Sequence, residues 1–197
     1  MDKKNLSIKE TFALAVQNHR ENNLKIAENL YREILKTNPD HFESLCFLGT
    51  LLAQNKRFDL AKPLLHKAIE IKPNFANAHY NLGLIFKYLE EYQEAINCYE
   101  KVIQIDPGYI AAHNNLGLVF KELKEHRKAI NSYEKAIKIN PSYADAYCNL
   151  GNAFRELKDY KKALDCYEKT IQLQPNHVAS HNNLGLTFED LEEYPKA

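Results

Sequence analysis

The chain has 197 residues with 26 basic and 26 acidic side chains and a formal charge of zero, so the counterion release that drives nucleic-acid binding has no evident source and a nucleic-acid partner is not expected. Its start, MDKKNLSIKE, carries charges with no apolar run behind them, and no later stretch approaches a membrane span; neither a secretory signal nor a membrane segment is predicted, and a cytoplasmic location is expected. Cys46, Cys98, Cys148 and Cys166 show no C-x-x-C pairing and fall inside helical patterns, which points to reduced thiols instead of disulfides or a metal site.

Residues 1–7 read as a short tail. Ser7 followed by Glu10 is a capping box, in which the hydroxyl and the carboxylate each satisfy an orphan backbone N–H, so the first helix is predicted to start at Ile8. From there landmarks return every 34 residues: Leu14, Leu48, Leu82, Leu116, Leu150 and Leu184 share one register, and Ala27, Ala61, Ala95, Ala129, Ala163 and Ala197 another. Prolines close the period at Pro39, Pro73, Pro107, Pro141 and Pro175. The units are therefore 8–41, 42–75, 76–109, 110–143, 144–177 and a shortened 178–197. The first is divergent and cap-like, with Ala15 where later units have glycine and Asn18 where they have Leu52, Phe86 or Phe120, as suits a solvent-facing terminal repeat.

Counting each unit from its first residue as place one, the first helix carries its core face at places four, seven, eight and eleven, which in 110–143 are His113, Leu116, Gly117 and Phe120. A glycine in mid-helix costs about 1 kcal/mol against alanine, so Gly49, Gly83, Gly117, Gly151 and Gly185 imply close approach of a partner helix. The second helix brings Ala129, Tyr133 and Ala136 to meet it. Each closing proline biases the residue before it out of helix, ending the second helix near Asn38, Lys72, Asp106, Asn140 and Gln174. Asp40, Asn74, Gly108, Ser142 and Asn176 follow, and as N-cap types they are expected to start the next helix. Pro63 falls inside a second helix, where it removes the bond to the Asp59 carbonyl and is expected to kink it. In the last unit Pro195 suits the first turn of a second helix that the chain does not complete.

Leu-Gly at places seven and eight, Ala at twenty and Pro at thirty-two resemble the tetratricopeptide repeat, a helix-turn-helix module, from Ile8 to Ala197. The resemblance implies an all-α, right-handed superhelix, an α-solenoid whose first helices line a concave groove. Two departures stand out. Place four, often Trp in the family, holds Thr11, Leu45, His79, His113, Tyr147 and His181, and the glycine common at place fifteen is Glu90 or Lys124, which is expected to loosen that turn.

Places two, six, nine and thirteen lie opposite the packed face. Place six is Asn81, Asn115, Asn149 and Asn183. Asparagine is a mediocre helix residue, so its recurrence asks for a reason, and an amide offers both donor and acceptor to the backbone of an extended peptide. The ladder is similar to the one in the repeat arm of nucleocytoplasmic O-linked N-acetylglucosamine transferases; the alternative is that these amides bond within the array. Place nine adds Leu84, Leu118 and Leu186, as apolar pockets or as packing, together with Asn152. Place twelve adds Lys87, Lys121 and Arg155, interleaved with Glu122 and Glu156, as a weak anionic stripe or a solvated flank. The carboxylate clamp by which some family members hold acidic chaperone tails needs Lys or Arg at places two and six, and place two here reads Glu43, Asn77, Ala111, Asp145 and Ala179.

No phosphate-cradling glycine loop, nucleophile and base, or cofactor motif is present in the sequence, so no catalytic residue and no cofactor is assigned. His79, His113 and His181 share a register but occupy the packed face one repeat or more apart, which favours packing over metal. Glu90-Glu91 and Glu192-Glu193 are expected at solvated turns. The sequence thus reads as a protein-binding scaffold that takes an extended peptide along units three to six. The alternative is the substrate-recruiting arm of a longer transferase, and the apolar Leu184, Phe188 and Leu191 of the shortened unit invite end-to-end self-association.

Overall fold

The computed structural model describes residues 6–193, and every regular element among them is an α-helix. They divide into two compact units, one up to Glu90 and one from Glu91. The first holds α1 (Ile8–Arg20), α2 (Leu24–Thr37), α3 (Phe42–Gln54), α4 (Phe58–Ile71) and α5 (Ala76–Tyr88); the second holds α6 (Tyr92–Ile105), α7 (Ile110–Glu122), α8 (His126–Ile139), α9 (Ala144–Glu156), α10 (Tyr160–Leu173) and α11 (Val178–Glu193). Within each unit successive helices pack as antiparallel neighbours joined by short turns. The fold is an all-α solenoid of helix-turn-helix repeats.

The capping box forms as expected. Glu10 N donates to Ser7 Oγ at 3.3 Å, and Ser7 N and Ser7 Oγ donate to Glu10 Oε2 at 2.9 and 2.8 Å, two bonds that hold the Glu10 carboxyl below its ordinary pKa. The later helices start differently from expectation. Asp40, Gly108 and Ser142 are turn residues whose N–H groups donate to the Oδ1 of Asn38, Asp106 and Asn140, and the N-cap is the next residue, His41, Tyr109 or Tyr143; Phe75, after Asn74, caps likewise. The physical reason is an Asx-turn across the closing proline, which uses the N–H two residues on and delays the helix by one position. His41 replaces the expected oxygen cap with nitrogen, its Nδ1 accepting from Ser44 N at 3.2 Å.

The turn between first and second helices closes the same way in each complete repeat. Place fifteen takes a left-handed conformation at Asn22 (φ 61°), Lys56 (58°), Glu90 (60°), Lys124 (59°) and Lys158 (60°). Around Lys124 its own N–H reaches Lys121 O at 2.9 Å and Glu125 N reaches Phe120 O at 2.8 Å, a Schellman closure. The missing glycine therefore strains the turn instead of loosening it. Lys124→Gly is expected to raise stability by about 0.5 to 1 kcal/mol, since the left-handed cost to an L-residue of about 1 to 2 kcal/mol exceeds the extra chain entropy glycine loses; a shift of the urea midpoint in the other direction would contradict it.

The last repeat departs from this pattern. α11 runs 16 residues where the other first helices run 13, so Glu192 and Glu193 are helical and not in a turn. The described residues end at Glu193 within this helix. Pro195 lies outside them. Pro63 lies inside α4, which continues through it with the 14 residues of the other second helices.

Core packing pairs a small residue with a large one. A Cβ built on Gly117 would lie 2.5 Å from Tyr133 Cε1, one on Gly151 2.6 Å from Tyr167 Cε1, and one on Gly49 2.8 Å from Leu65 Cγ. Tyr31, Tyr99, Tyr133 and Tyr167 are all completely buried. Their hydroxyls differ. Tyr167 donates to Asn152 Oδ1 at 2.9 Å, whereas Tyr133 OH is buried without a hydrogen-bond partner because place nine of its repeat is Leu118. Tyr133→Phe should then be neutral or stabilising, and Tyr167→Phe should cost about 0.5 to 1.5 kcal/mol, the net worth of one hydrogen bond. Equal losses on denaturant unfolding would mean that Tyr133 has a partner in solution. The four cysteines are free, and burial pushes the Cys46 and Cys166 thiols up to about 12 and Cys98 up to about 11, so they stay protonated near neutrality.

Candidate functional site

In the first unit the candidate face is made by α3 and α5. Asn81 Nδ2 donates to Thr50 Oγ1 at 2.8 Å, and that hydroxyl in turn donates to Cys46 O at 2.8 Å. The bond uses one of the two amide hydrogens of Asn81; its type retains a second hydrogen and a carbonyl. Asn81, Leu84 and Lys87, three of the groove residues expected from the sequence, line one cavity of about 500 Å³ with Tyr80 and Tyr88. Tyr88 is 55% exposed. Its ring lies against Phe58, the first residue of α4, with ring centroids 4.9 Å apart, and Lys56 Nζ of the turn after α3 lies 5.0 Å from its centroid.

In the second unit the corresponding residues sit on α7, α9 and α11, and their amides bond within the protein. Asn183 Nδ2 donates to Asn152 Oδ1 at 2.8 Å, joining α11 to α9, and Asn149 Nδ2 donates to Asn114 Oδ1 at 3.1 Å, joining α9 to α7. Asn115, only 9% exposed, donates to Ala111 O of its own helix at 2.9 Å. A rule connects these partners. Where place nine of the preceding repeat is polar, as Thr50 or Asn152, the ladder amide reaches across 31 residues to it; where that place is Leu84 or Leu118, the amide turns to another acceptor. The readable signal was a polar residue 31 positions upstream of the asparagine.

Asn152 is therefore a junction, its Oδ1 accepting from both Tyr167 and Asn183. Leu118 is half-buried and Leu186 is 41% exposed. The basic residues are engaged: Lys121 Nζ lies 3.4 Å from Glu122, and Arg155 Nε lies 2.7 Å from Asp190 Oδ2, a bond that raises the Arg155 pKa further.

The place-four histidines have a role beyond packing. His79, His113 and His181 each hydrogen-bond through Nε2 to the closing proline carbonyl of the repeat before, Pro73, Pro107 and Pro175, at 2.8, 3.0 and 2.8 Å. A carbonyl only accepts, so Nε2 must carry the proton and donate. His113 is buried at 5% exposure, but His79 is half-buried and His181 exposed, so the shared feature is the bond that ties helix start to turn. No helix among the described residues is long and apolar enough to cross a membrane.

Comparison with known proteins agrees with this architecture. Models of the tetratricopeptide repeat match residues 76–109 and 144–177 and residues 20–74, and a TPR repeat model matches 120–154. Among curated proteins, Protein O-mannosyl-transferase Tmtc2 of Drosophila melanogaster is 39% identical over 54 residues, which is 27% of this chain, and the chain spans 6% of that relative's length. Among solved structures, MamA superposes with a TM-score of 0.77 at 26% identity, covering 87% of this chain and 93% of that one. MamA 41-end from Desulfovibrio magneticus RS-1 gives 0.79 at 22%, covering 86% and 96%. YrrB, described as a TPR protein with an unusual peptide-binding site, gives 0.75 at 19%, covering 94% and 93%. The last two, at such identity, speak to the fold alone.

Proposed function

The chain belongs to the tetratricopeptide repeat family, and from that premise we propose that it is a non-catalytic scaffold that binds an extended peptide segment of a protein partner on the faces of its first helices. The observation that carries this reading is the convergence of Asn81, Leu84 and Lys87 on one cavity of about 500 Å³, within the range of about 300 to 1,000 Å³ typical of ligand sites. The faces of α7, α9 and α11 carry the same residue types, with Asn149, Asn183, Leu118 and Lys121, and Asn149 and Asn183 each spend one amide hydrogen between repeats; Asn115, expected to join them, is buried and bonded within its own helix.

The test is selection of peptides from a random display library on the full chain, followed by titration of the selected peptides against Leu84→Arg, which fills the cavity with a long charged side chain. Affinity should fall at least about tenfold with an unchanged unfolding midpoint, the size of effect a central contact carries. Undiminished binding would place the peptide elsewhere. Four free thiols suit a reducing, cytoplasmic setting for this scaffold.

A second reading, a recruiting arm for a transferase, draws on the 54-residue match to Tmtc2; a reading frame that runs on into a catalytic domain would establish it, and a stop codon after Ala197 would remove it. Self-association belongs to the proposal as well. α11 exposes Phe188 (48%) and Leu191 (38%), whereas Leu184, expected to be uncovered with them, is half-buried against Cys148 and Tyr167; exposed apolar side chains of this kind favour contact between copies. Sedimentation velocity should show mass rising with concentration, and a constant monomer mass would end that part of the reading.

A further inference from the structure

The first repeat breaks the amide pattern of the later ones. Places two, six, nine and thirteen of α1, opposite its packed face, hold Lys9, Ala13, Val16 and Arg20, and place six of the second repeat holds Phe47 where later repeats have asparagine. Together with Phe12, these α1 residues line one open trough of about 560 Å³ along the helix. Its apolar floor is held firmly. The half-buried Phe12 ring stands edge-on to the 39% exposed Phe47 ring, with centroids 5.6 Å apart, and its centroid is 6.0 Å from that of Tyr31 and 5.4 Å from that of His41. A cation stands at each end, Lys9 and Arg20, eleven residues and so about 16 Å apart. Neither makes an ion pair among the described residues. The carboxylate on the rim, Glu21, is engaged, its two oxygens accepting from Gln17 at 2.9 Å and from Asn23 at 3.3 Å.

We propose that this trough docks an amphipathic helix of a partner protein, one whose apolar stripe is bordered at both ends by carboxylates. Three features select that occupant. The trough follows the axis of a single helix for about three turns, the path of a second helix packed along it, whereas an extended peptide crosses successive first helices. Ala13 leaves a hole beside Phe12 and Val16 that a leucine of the incoming helix fills. Carboxylates eleven residues apart on that helix come opposite Lys9 and Arg20. A second copy of this chain does not complement the trough, because its α1 paired antiparallel sets Lys9 against Arg20, and paired parallel sets each cation against itself. The surface shares no lining residue with the cavity of Asn81 and Leu84, so it stands apart from the extended-peptide reading. It differs from a carboxylate clamp as well, since place six is Ala13 and the second cation is at place thirteen.

The experiment uses anisotropy of fluorescently labelled peptides on the full chain. The probe is the helix-forming peptide Ala-Glu-Gln-Ala-Leu-Leu-Gln-Ala-Leu-Gln-Ala-Ala-Glu-Gln-Ala, whose glutamates stand eleven residues apart with three leucines between them on one face. It is compared with versions carrying lysine for both glutamates, alanine for the leucines, or proline for the central alanine, which breaks the helix. The probe should bind, and each version should weaken it at least about tenfold. The Lys9→Glu, Arg20→Glu double variant, with its unfolding midpoint as the control for folding, should reverse the preference in favour of the lysine version. Leu84→Arg should leave binding of the probe unchanged, and a loss there would place the probe in the other cavity and overturn the inference. Equal binding of the glutamate and lysine versions by the parent, full binding of the proline version, or no binding of the probe at about 1 mM overturns it too. So does a parent whose mass rises with concentration and returns to the monomer in Ala13→Arg, since a second copy would then hold the trough.

Discussion

Truncating Leu116 to alanine is expected to cost about 2 to 5 kcal/mol, because the side chain is 7% exposed on the packed face of α7 and its removal leaves a cavity that neighbouring helices cannot close. The same substitution at Leu14 should cost well under half as much. Leu14 holds the same register but is 38% exposed on α1, so little apolar area returns to water when it is cut back. Urea unfolding of both variants is the measurement. A loss at Leu116 below about 0.5 kcal/mol, the size of an ordinary surface change, would mean that this face of α7 is not packed in solution.

The second large effect is expected at Gly117, where alanine should destabilise by about 1 to 2 kcal/mol although it is the better helix former. The added methyl would meet Tyr133 at 2.5 Å from Cε1, 2.7 Å from Cδ1 and 2.9 Å from Cζ, and a fully buried ring cannot swing aside. Overpacking of this kind costs about 1 to 3 kcal/mol, against about 1 kcal/mol gained in helix propensity. At Gly185 a Cβ meets nothing within 4 Å, so Gly185→Ala should gain up to about 1 kcal/mol. The sign of the change is thus predicted to reverse between two glycines in the same register. Ala15, buried at the same place in α1, shows that a repeat can form around the methyl when its helix pair is built to hold it. Equal effects at Gly117 and Gly185 in thermal unfolding would show that the close approach carries no energy.

Much of the array was legible in the sequence because its signals are local and recur. The closing prolines end α2, α4, α6, α8 and α10 at the residue before Asn38, Lys72, Asp106, Asn140 and Gln174, the positions expected from proline sterics alone. The glycines of places eight announced a close approach, which Gly49, Gly117 and Gly151 make. Helix starts were less legible. Asp40 and Ser142 are N-cap types, yet the Asx-turns of Asn38 and Asn140 bond their own backbone N–H groups and hold them in the turn, and a choice between two local conformations is settled by the geometry of the whole turn. The division between Glu90 and Glu91 left no mark at all, since the 34-residue register passes through it unchanged.

What the sequence determined by itself is the family of structure: repeat length, helix pairing, the small-against-large core and the six-fold register, each of which follows from side-chain spacing along one chain. What only the tertiary structure decided is what the polar residues do. Asn81, Asn149 and Asn183 look alike in sequence, but one donates to a threonine hydroxyl and two to asparagine carbonyls of the repeat before. His79, His113 and His181 read as packing residues and prove to be donors to proline carbonyls. The reason is physical. Burial is set by periodicity, which a sequence displays, whereas a hydrogen bond is directional and reaches about 3 Å, so its partner is chosen by whichever acceptor another helix places within that distance.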